Sequence, residues 1–119
     1  ARLHERKLVR QNPFREAVAA VSVGWVKGEA VLDLTYGEDA TADVDFNIVG
    51  TSAGRFVELQ GTAEGEPFGA EELRQLLRTG RKGLATLFAA EGRALSGRIP
   101  VEWWRALFGK VKGAGPGRK

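Results

Sequence analysis

The sequence contains no cysteine and a single histidine, His4. Disulfide frameworks, thiolate-held zinc, iron–sulfur clusters and thiol nucleophiles are thereby excluded. Any Ser–His–Asp triad would hang on a residue at the edge of the chain. No apolar run approaches the roughly 20 residues of a membrane span, and no signal peptide opens the sequence. A cytoplasmic setting with no membrane partner is the expectation. Methionine is absent and position 1 is Ala, so a processed chain, a fragment or an incomplete chain is expected. Asn and Gln are scarce, at two and three residues, and Arg outnumbers Lys by twelve to six. That composition suits a thermophile, although a GC-rich genome gives the same Arg excess.

What is present is the material of one soluble globular domain. The chain has 119 residues, 43% hydrophobic and 28% charged, long enough to bury a core and too apolar for a disordered segment. The formal net charge of +3 is unevenly distributed. Residues 1–16 carry five basic and two acidic groups, and residues 98–119 carry six basic and one. Residues 17–97 carry seven basic and twelve acidic. Basic ends around an acidic body fit a polyanion partner, and they equally fit simple solubilising tails. All four Asp fall between positions 33 and 45, as Asp33, Asp39, Asp43 and Asp45.

Residues 2–10 read as the end of a helix, stopped before Asn12-Pro13 because the residue preceding Pro is pushed out of the α region. Ala17–Val26 is small, apolar and β-branched, a buried strand. Lys27-Gly28-Glu29 is a tight turn, and Ala30–Thr35 returns as a second strand. Tyr36–Ala42 is a polar loop. Asp43–Gly50 alternates strictly: Val44, Phe46 and Ile48 face one way, Asp43, Asp45 and Asn47 the other. A two-residue turn at Ala53-Gly54 would set Ile48 opposite Leu59 and Asn47 opposite Gln60. Val57 and Leu59 then join the core face, and Glu58 and Gln60 the polar face.

Gly61–Gly69 reads as a connection. A helix from about Ala70 to Leu95 places Leu73, Leu76, Leu77, Leu84, Leu87, Phe88 and Leu95 on one stripe. Gly80 and Gly83 within it mark close packing on the sheet. Pro100 suits the first turn of a short helix carrying Trp103 and Trp104, and Gly113–Lys119 reads as disordered. The fold class is α+β: an antiparallel four-stranded sheet with one long helix packed on one face, plus a short C-terminal helix. The domain division is 1–97 and 98–119.

Asp43, Asp45 and Asn47 stand about 6.5–7 Å apart along one strand face, with Asp39 in the preceding loop. Neighbouring carboxylates repel unless a cation, a basic partner or water intervenes. Mg²⁺ takes one or two carboxylates and bridges to substrate phosphate. Spacing alone admits two readings, a metal site facing a phosphate-bearing ligand and an ordinary solvent-facing strand. No Walker-type phosphate loop, zinc spacing or paired nucleophile and base is present.

Four stretches carry a resemblance. They are Val18-Ala-Ala-Val-Ser-Val-Gly24, Leu34-Thr-Tyr-Gly-Glu-Asp39, Ala42-Asp-Val-Asp-Phe-Asn47 and Gly54-Arg-Phe-Val-Glu-Leu-Gln-Gly-Thr-Ala-Glu-Gly-Glu-Pro-Phe68. Together they resemble the carboxyl-terminal half of ribonuclease PH over roughly residues 6–95. The resemblance implies a phosphorolytic 3′→5′ exoribonuclease, a nucleotidyltransferase. Such enzymes use inorganic phosphate to trim tRNA 3′ ends, release nucleoside diphosphates, and assemble as hexameric rings. Two family aspartates six residues apart match Asp39 and Asp45, which implies Mg²⁺ (or Mn²⁺) binding by both and proton donation by one of them. Asp43 and Asn47 also match.

The family's phosphate-binding Gly-Thr-Arg motif lies in an amino-terminal half that has no counterpart in this sequence. No phosphate-binding residue is therefore assigned, and activity is expected only with that half as partner. Gly69 stands where the family commonly has a Ser or Thr helix cap. Residues 97–119 fall outside the resemblance. The Trp103-Trp104 helix reads there as a docked cover, with RNA stacking on exposed Trp as the other reading. The alternative function is a non-catalytic structural or RNA-binding subunit of an exosome-like ring.

Overall fold

The computed structural model describes residues 16–32 and 43–115. The expected helix end at 2–10, Asp33, Asp39 and the loop at Tyr36–Ala42 lie outside the described residues. The element order is β1 (Val18–Val26), β2 (Glu29–Leu32), β3 (Val44–Thr51), β4 (Phe56–Ala63), α1 (Ala70–Leu95) and α2 (Val101–Phe108). The four strands form one antiparallel sheet in the order β2-β1-β3-β4. The chain forms two compact units. Of the described residues, one takes in 20–32, 43–50 and 56–84, the other 16–19, 51–55 and 85–115.

In the first unit, β1 and β2 form a hairpin closed by Lys27-Gly28, with Val26 opposite Glu29. Both turn residues have positive φ, 53° and 83°, the primed turn whose twist matches that of the strands it joins. In β3 the alternation is realised side by side. Val44, Phe46 and Ile48 are buried at 2%, 4% and 0% exposure, while Asp43, Asp45 and Asn47 are exposed. Val23 of β1, also fully buried, shares the core face.

The first part of α1 lies on that face. Its first turn holds Glu71 and Glu72, where the helix dipole favours anions. The Glu72 carboxylate accepts from the Gly69 N–H at 2.8 Å, half of a capping box whose Ser or Thr is lacking. Leu76 and Leu84 are buried. Between them Gly80 and Gly83 bring the helix backbone onto the sheet. A Cβ at Gly80 would meet Ile48 Cδ1 at 2.1 Å, and one at Gly83 would meet Leu32 Cδ2 at 2.8 Å.

Two expectations need correction here. Leu59 falls on the core face, opposite Ile48, yet remains 45% exposed. β4 ends the strand order, and a period of two gives the face of a side chain but not what covers it. The connection at Gly61–Gly69 is shorter than expected, because β4 continues to Ala63. Gly61 pairs with Phe46, whose ring occupies the place of a side chain there: a Cβ on Gly61 would lie 2.5 Å from Phe46 Cδ1.

The second unit contains the tip between β3 and β4. Gly54 N–H donates to Thr51 O, and Thr51 N–H donates to Arg55 O. Gly54 has φ 89°, a left-handed position that glycine accepts without a Cβ penalty. The loop thus has three residues, not the two of Ala53-Gly54. Thr51 Oγ1 accepts from the N–H groups of Ala53 and Arg55 at 3.2 and 3.1 Å. Ser52 pairs with Ala17, donating through its N–H at 2.9 Å and accepting through Oγ at 2.9 Å. Arg55 and Glu16 form an ion pair. Later in the same unit, Phe88 and Ala89 of α1 and Phe108 of α2 are buried. Leu87, although on the helical stripe, is 40% exposed; angle around an axis does not say what lies opposite at that level. Ala114, inside the stretch expected to be disordered, is fully buried.

Candidate functional site

The face of the sheet opposite the core carries the polar row. In β3 it presents Asp45 and Asn47, with Asp43 immediately before the strand. Pairing with β4 sets Thr62 opposite Asp45 and Gln60 opposite Asn47. From β1, Ser22 Oγ donates to Asn47 Oδ1 at 2.8 Å, which places Ser22 on the same face. With Oδ1 turned to Ser22, the Asn47 amide N–H groups point the other way, as donors for an incoming oxygen.

The backbone beside this row is held from two sides. Asp43 N–H donates to Trp25 O at 2.8 Å, and Asp43 O accepts from Glu64 N–H at 2.8 Å. Asp43 thus ties the start of β3 to both neighbouring strands. A carboxylate mounted on a central strand is better positioned than one on a loop. Of the two expected site carboxylates, the structure places Asp45 on this open face. Asp39 lies outside the described residues.

Ser22 was not recognised in the sequence as part of this row. Its signal is a hydroxyl between Val21 and Val23, the outward position of an otherwise apolar strand. The alternation alone places Gln60 there; Thr62 joins the row because β4 extends to Ala63.

For a hydrated Mg²⁺ ion the described part of the row offers exposed carboxylates at Asp43 and Asp45. That ion takes one or two carboxylates and keeps several waters, and Asp45 is an exposed carboxylate on an open face. A protein-only cage is not formed here: among the described residues no group of three or more His, Asp or Glu is arranged to hold a metal. Nor, among the described residues, is any helix long and apolar enough to cross a membrane.

The polar row falls inside the region that matches a known family. A family model for the 3′ exoribonuclease family, domain 2, matches residues 16–83, from the residue before Ala17 through the helical turn of Gly80 and Gly83. The four strands, the alternation in β3 and α1 as far as Gly83 fall within that match, and the chain belongs to the ribonuclease PH family of 3′ exoribonucleases, of which it carries the second, carboxyl-terminal domain.

Proposed function

We propose that this chain supplies the carboxylate side of a phosphorolytic 3′→5′ exoribonuclease site. The site would trim RNA 3′ ends, including those of tRNA, with inorganic phosphate as co-substrate and nucleoside diphosphates as products. The observation that carries the reading is the exposed Asp45, set beside the Ser22-oriented Asn47 on an open sheet face within the family-matched region.

Phosphorolysis brings one anion, phosphate, against another, the phosphodiester. Asp45, with Asp39, would hold Mg²⁺ or Mn²⁺, and the bound ion would offset the charge that develops there. The Asn47 amide would donate to a phosphate or ribose oxygen and hold the substrate against the sheet. Asp45 or Asp39, when protonated, could return a proton to the leaving 3′-oxygen. No residue of this chain is assigned to grip the attacking phosphate. That task would fall to the family's amino-terminal domain, and a ring-shaped homo-oligomer would bring the parts together.

The test is phosphate-dependent release of nucleoside diphosphates from RNA, with the amino-terminal domain present. Turnover is expected with the natural chain and abolished in Asp45→Asn. Full activity in that variant would sink the assignment. Tight RNA binding with no phosphate-dependent turnover would instead make the chain a non-catalytic subunit.

A further inference from the structure

The open face of the sheet holds two exposed side chains that the proposed chemistry leaves unused, Gln60 and Thr62 of β4. Thr62 stands opposite Asp45, and Gln60 opposite Asn47. Side chains directly opposite on one face have Cβ atoms about 4.5–5.5 Å apart, and diagonal neighbours about 7–8 Å. Asp45, Asn47, Gln60 and Thr62 therefore form a four-cornered patch, with Thr62 at the side of the carboxylate.

The backbone between Gln60 and Thr62 is pinned from the core side. Gly61 pairs with Phe46, and a Cβ there would lie 2.5 Å from Phe46 Cδ1 and 3.3 Å from Phe68 Cζ. Without a side chain, Gly61 lets both rings close beneath it, and the period of two turns its neighbours outward. Asn47 is fixed as well, by the 2.8 Å bond from Ser22 Oγ to its Oδ1. Packing and hydrogen bonds thus hold the patch, the support that a recognition site needs.

Its chemistry favours a hydroxyl over a phosphate. Among the described residues of this row, Ser22, Asp43, Asp45, Asn47, Gln60 and Thr62, none is a cation. A bare phosphate would meet only carboxylates and neutral groups. A hydroxyl both donates and accepts. So does the Thr hydroxyl, while the Gln amide offers an N–H donor and a carbonyl acceptor. The ribose 2′-hydroxyl is the group by which a protein tells RNA from DNA.

Phosphorolysis puts one such hydroxyl beside Asp45. An oxygen of inorganic phosphate bonds to the scissile phosphorus, the P–O3′ bond breaks with its electron pair going to O3′, and O3′ takes up a proton. The 2′-hydroxyl of the ribose that carries O3′ is on the adjacent carbon. Resting on the reading that Asp45 serves the leaving O3′, we infer that Thr62 and Gln60 are specificity-determining residues that read this 2′-hydroxyl. Thr62, beside Asp45, exchanges a hydrogen bond with it, and the Gln60 amide supplies a second partner. The chain thereby selects ribose in the nucleotide that is left behind, not in the one released.

The experiment uses the full chain with the amino-terminal domain present and two labelled oligoadenylates. One is all-ribo, and the other has a single 2′-deoxy residue at the penultimate position. Phosphorolysis of the last nucleotide, and binding without phosphate, are measured for both. The natural chain should prefer the all-ribo oligomer in both measurements. Thr62→Val keeps the branched shape and should lower kcat/KM and affinity for the all-ribo oligomer roughly five-fold, leaving the deoxy oligomer unchanged. Gln60→Ala should act in the same direction, and Thr62→Ser should keep the natural preference. A preference unchanged in both Thr62→Val and Gln60→Ala, or absent from the natural chain, overturns the inference. A ribose preference in binding that these variants lose, in a chain with no phosphate-dependent turnover, leaves the 2′-hydroxyl reading standing and overturns the catalytic one.

Discussion

Gly80 of α1 meets Ile48 of β3 so closely that a Cβ at position 80 would lie 2.1 Å from Ile48 Cδ1. Ile48 is fully buried, so its side chain has nowhere to retreat. Alanine is favoured over glycine in a helix by about 1 kcal/mol, while forcing a methyl into a packed core costs about 1–3 kcal/mol. Gly80→Ala should therefore lose on balance, by roughly 1 kcal/mol. A higher thermal midpoint for this variant would show that the helix can slide off the sheet. Gly83→Ala should be milder, because Leu32 is half-buried and can yield.

In the proposed site Ser22 would act through Asn47, to whose Oδ1 it donates. Ser22→Ala removes the donor to Asn47 Oδ1 and frees the amide to rotate. In the phosphorolysis assay KM for RNA should rise several-fold with a smaller change in kcat. Asp45→Asn should remove kcat altogether, and being exposed it should move stability by no more than about 0.5 kcal/mol. Denaturant unfolding beside the kinetics separates the two effects.

Glu91 gives the fold a pH dependence of known sign. Partial withdrawal from water raises its carboxyl above the ordinary glutamate value, even though the residue keeps an exposed surface. Below about pH 4.3 the folded and unfolded states are both largely protonated there. As pH rises from that point through the raised folded value, the unfolded state releases its proton first, and stability falls. Glu91→Gln should thus stabilise the chain at neutral pH and make little difference in acid. Thermal midpoints at both pH values check it, and an equal shift at both would remove titration as the cause.

The seat of α2 depends on one indole N–H. Trp104→Phe keeps an aromatic ring but leaves the Gly92 carbonyl without its 2.7 Å donor. Gly92 is buried, so a loss of about 1–2 kcal/mol is expected. Hydrogen exchange at residues 101–115 should rise most. Uniform loss of protection across the sheet would contradict a local anchor.

Much of this was legible in the residues because local rules and the tertiary structure agree. The alternation from Val44 to Ile48 gave β3 both its faces, and the apolar stripe with its acidic first turn gave α1 the bounds Ala70–Leu95 that the structure shows. The register is more instructive. Ile48 does lie opposite Leu59 and Asn47 opposite Gln60, but not through a two-residue turn. A three-residue loop at Gly54 shifts the pairing by one, so that Gly50 meets Phe56, and an irregularity between Val49 and Gly50 shifts it back. The two shifts are equal and opposite. Leu59 and Leu87 were misread for a different reason: periodicity fixes direction around a strand or helix, while cover depends on where the neighbouring layer stops. Ser22 escaped notice because a lone hydroxyl in an apolar strand has no partner until the strands are ordered.

β3 has one further use. Its even-numbered residues, Val44, Phe46 and Ile48, sit in the core, and its odd-numbered residues, Asp45 and Asn47, sit on the open face. Phe46 also spans to Gly61 on the neighbouring strand. A substitution scan along these five consecutive positions therefore carries its own control. Damage at even positions should register as unfolding and damage at odd positions as lost turnover in a folded protein. The beat between the two readouts, residue by residue, would separate scaffold from chemistry within a single strand.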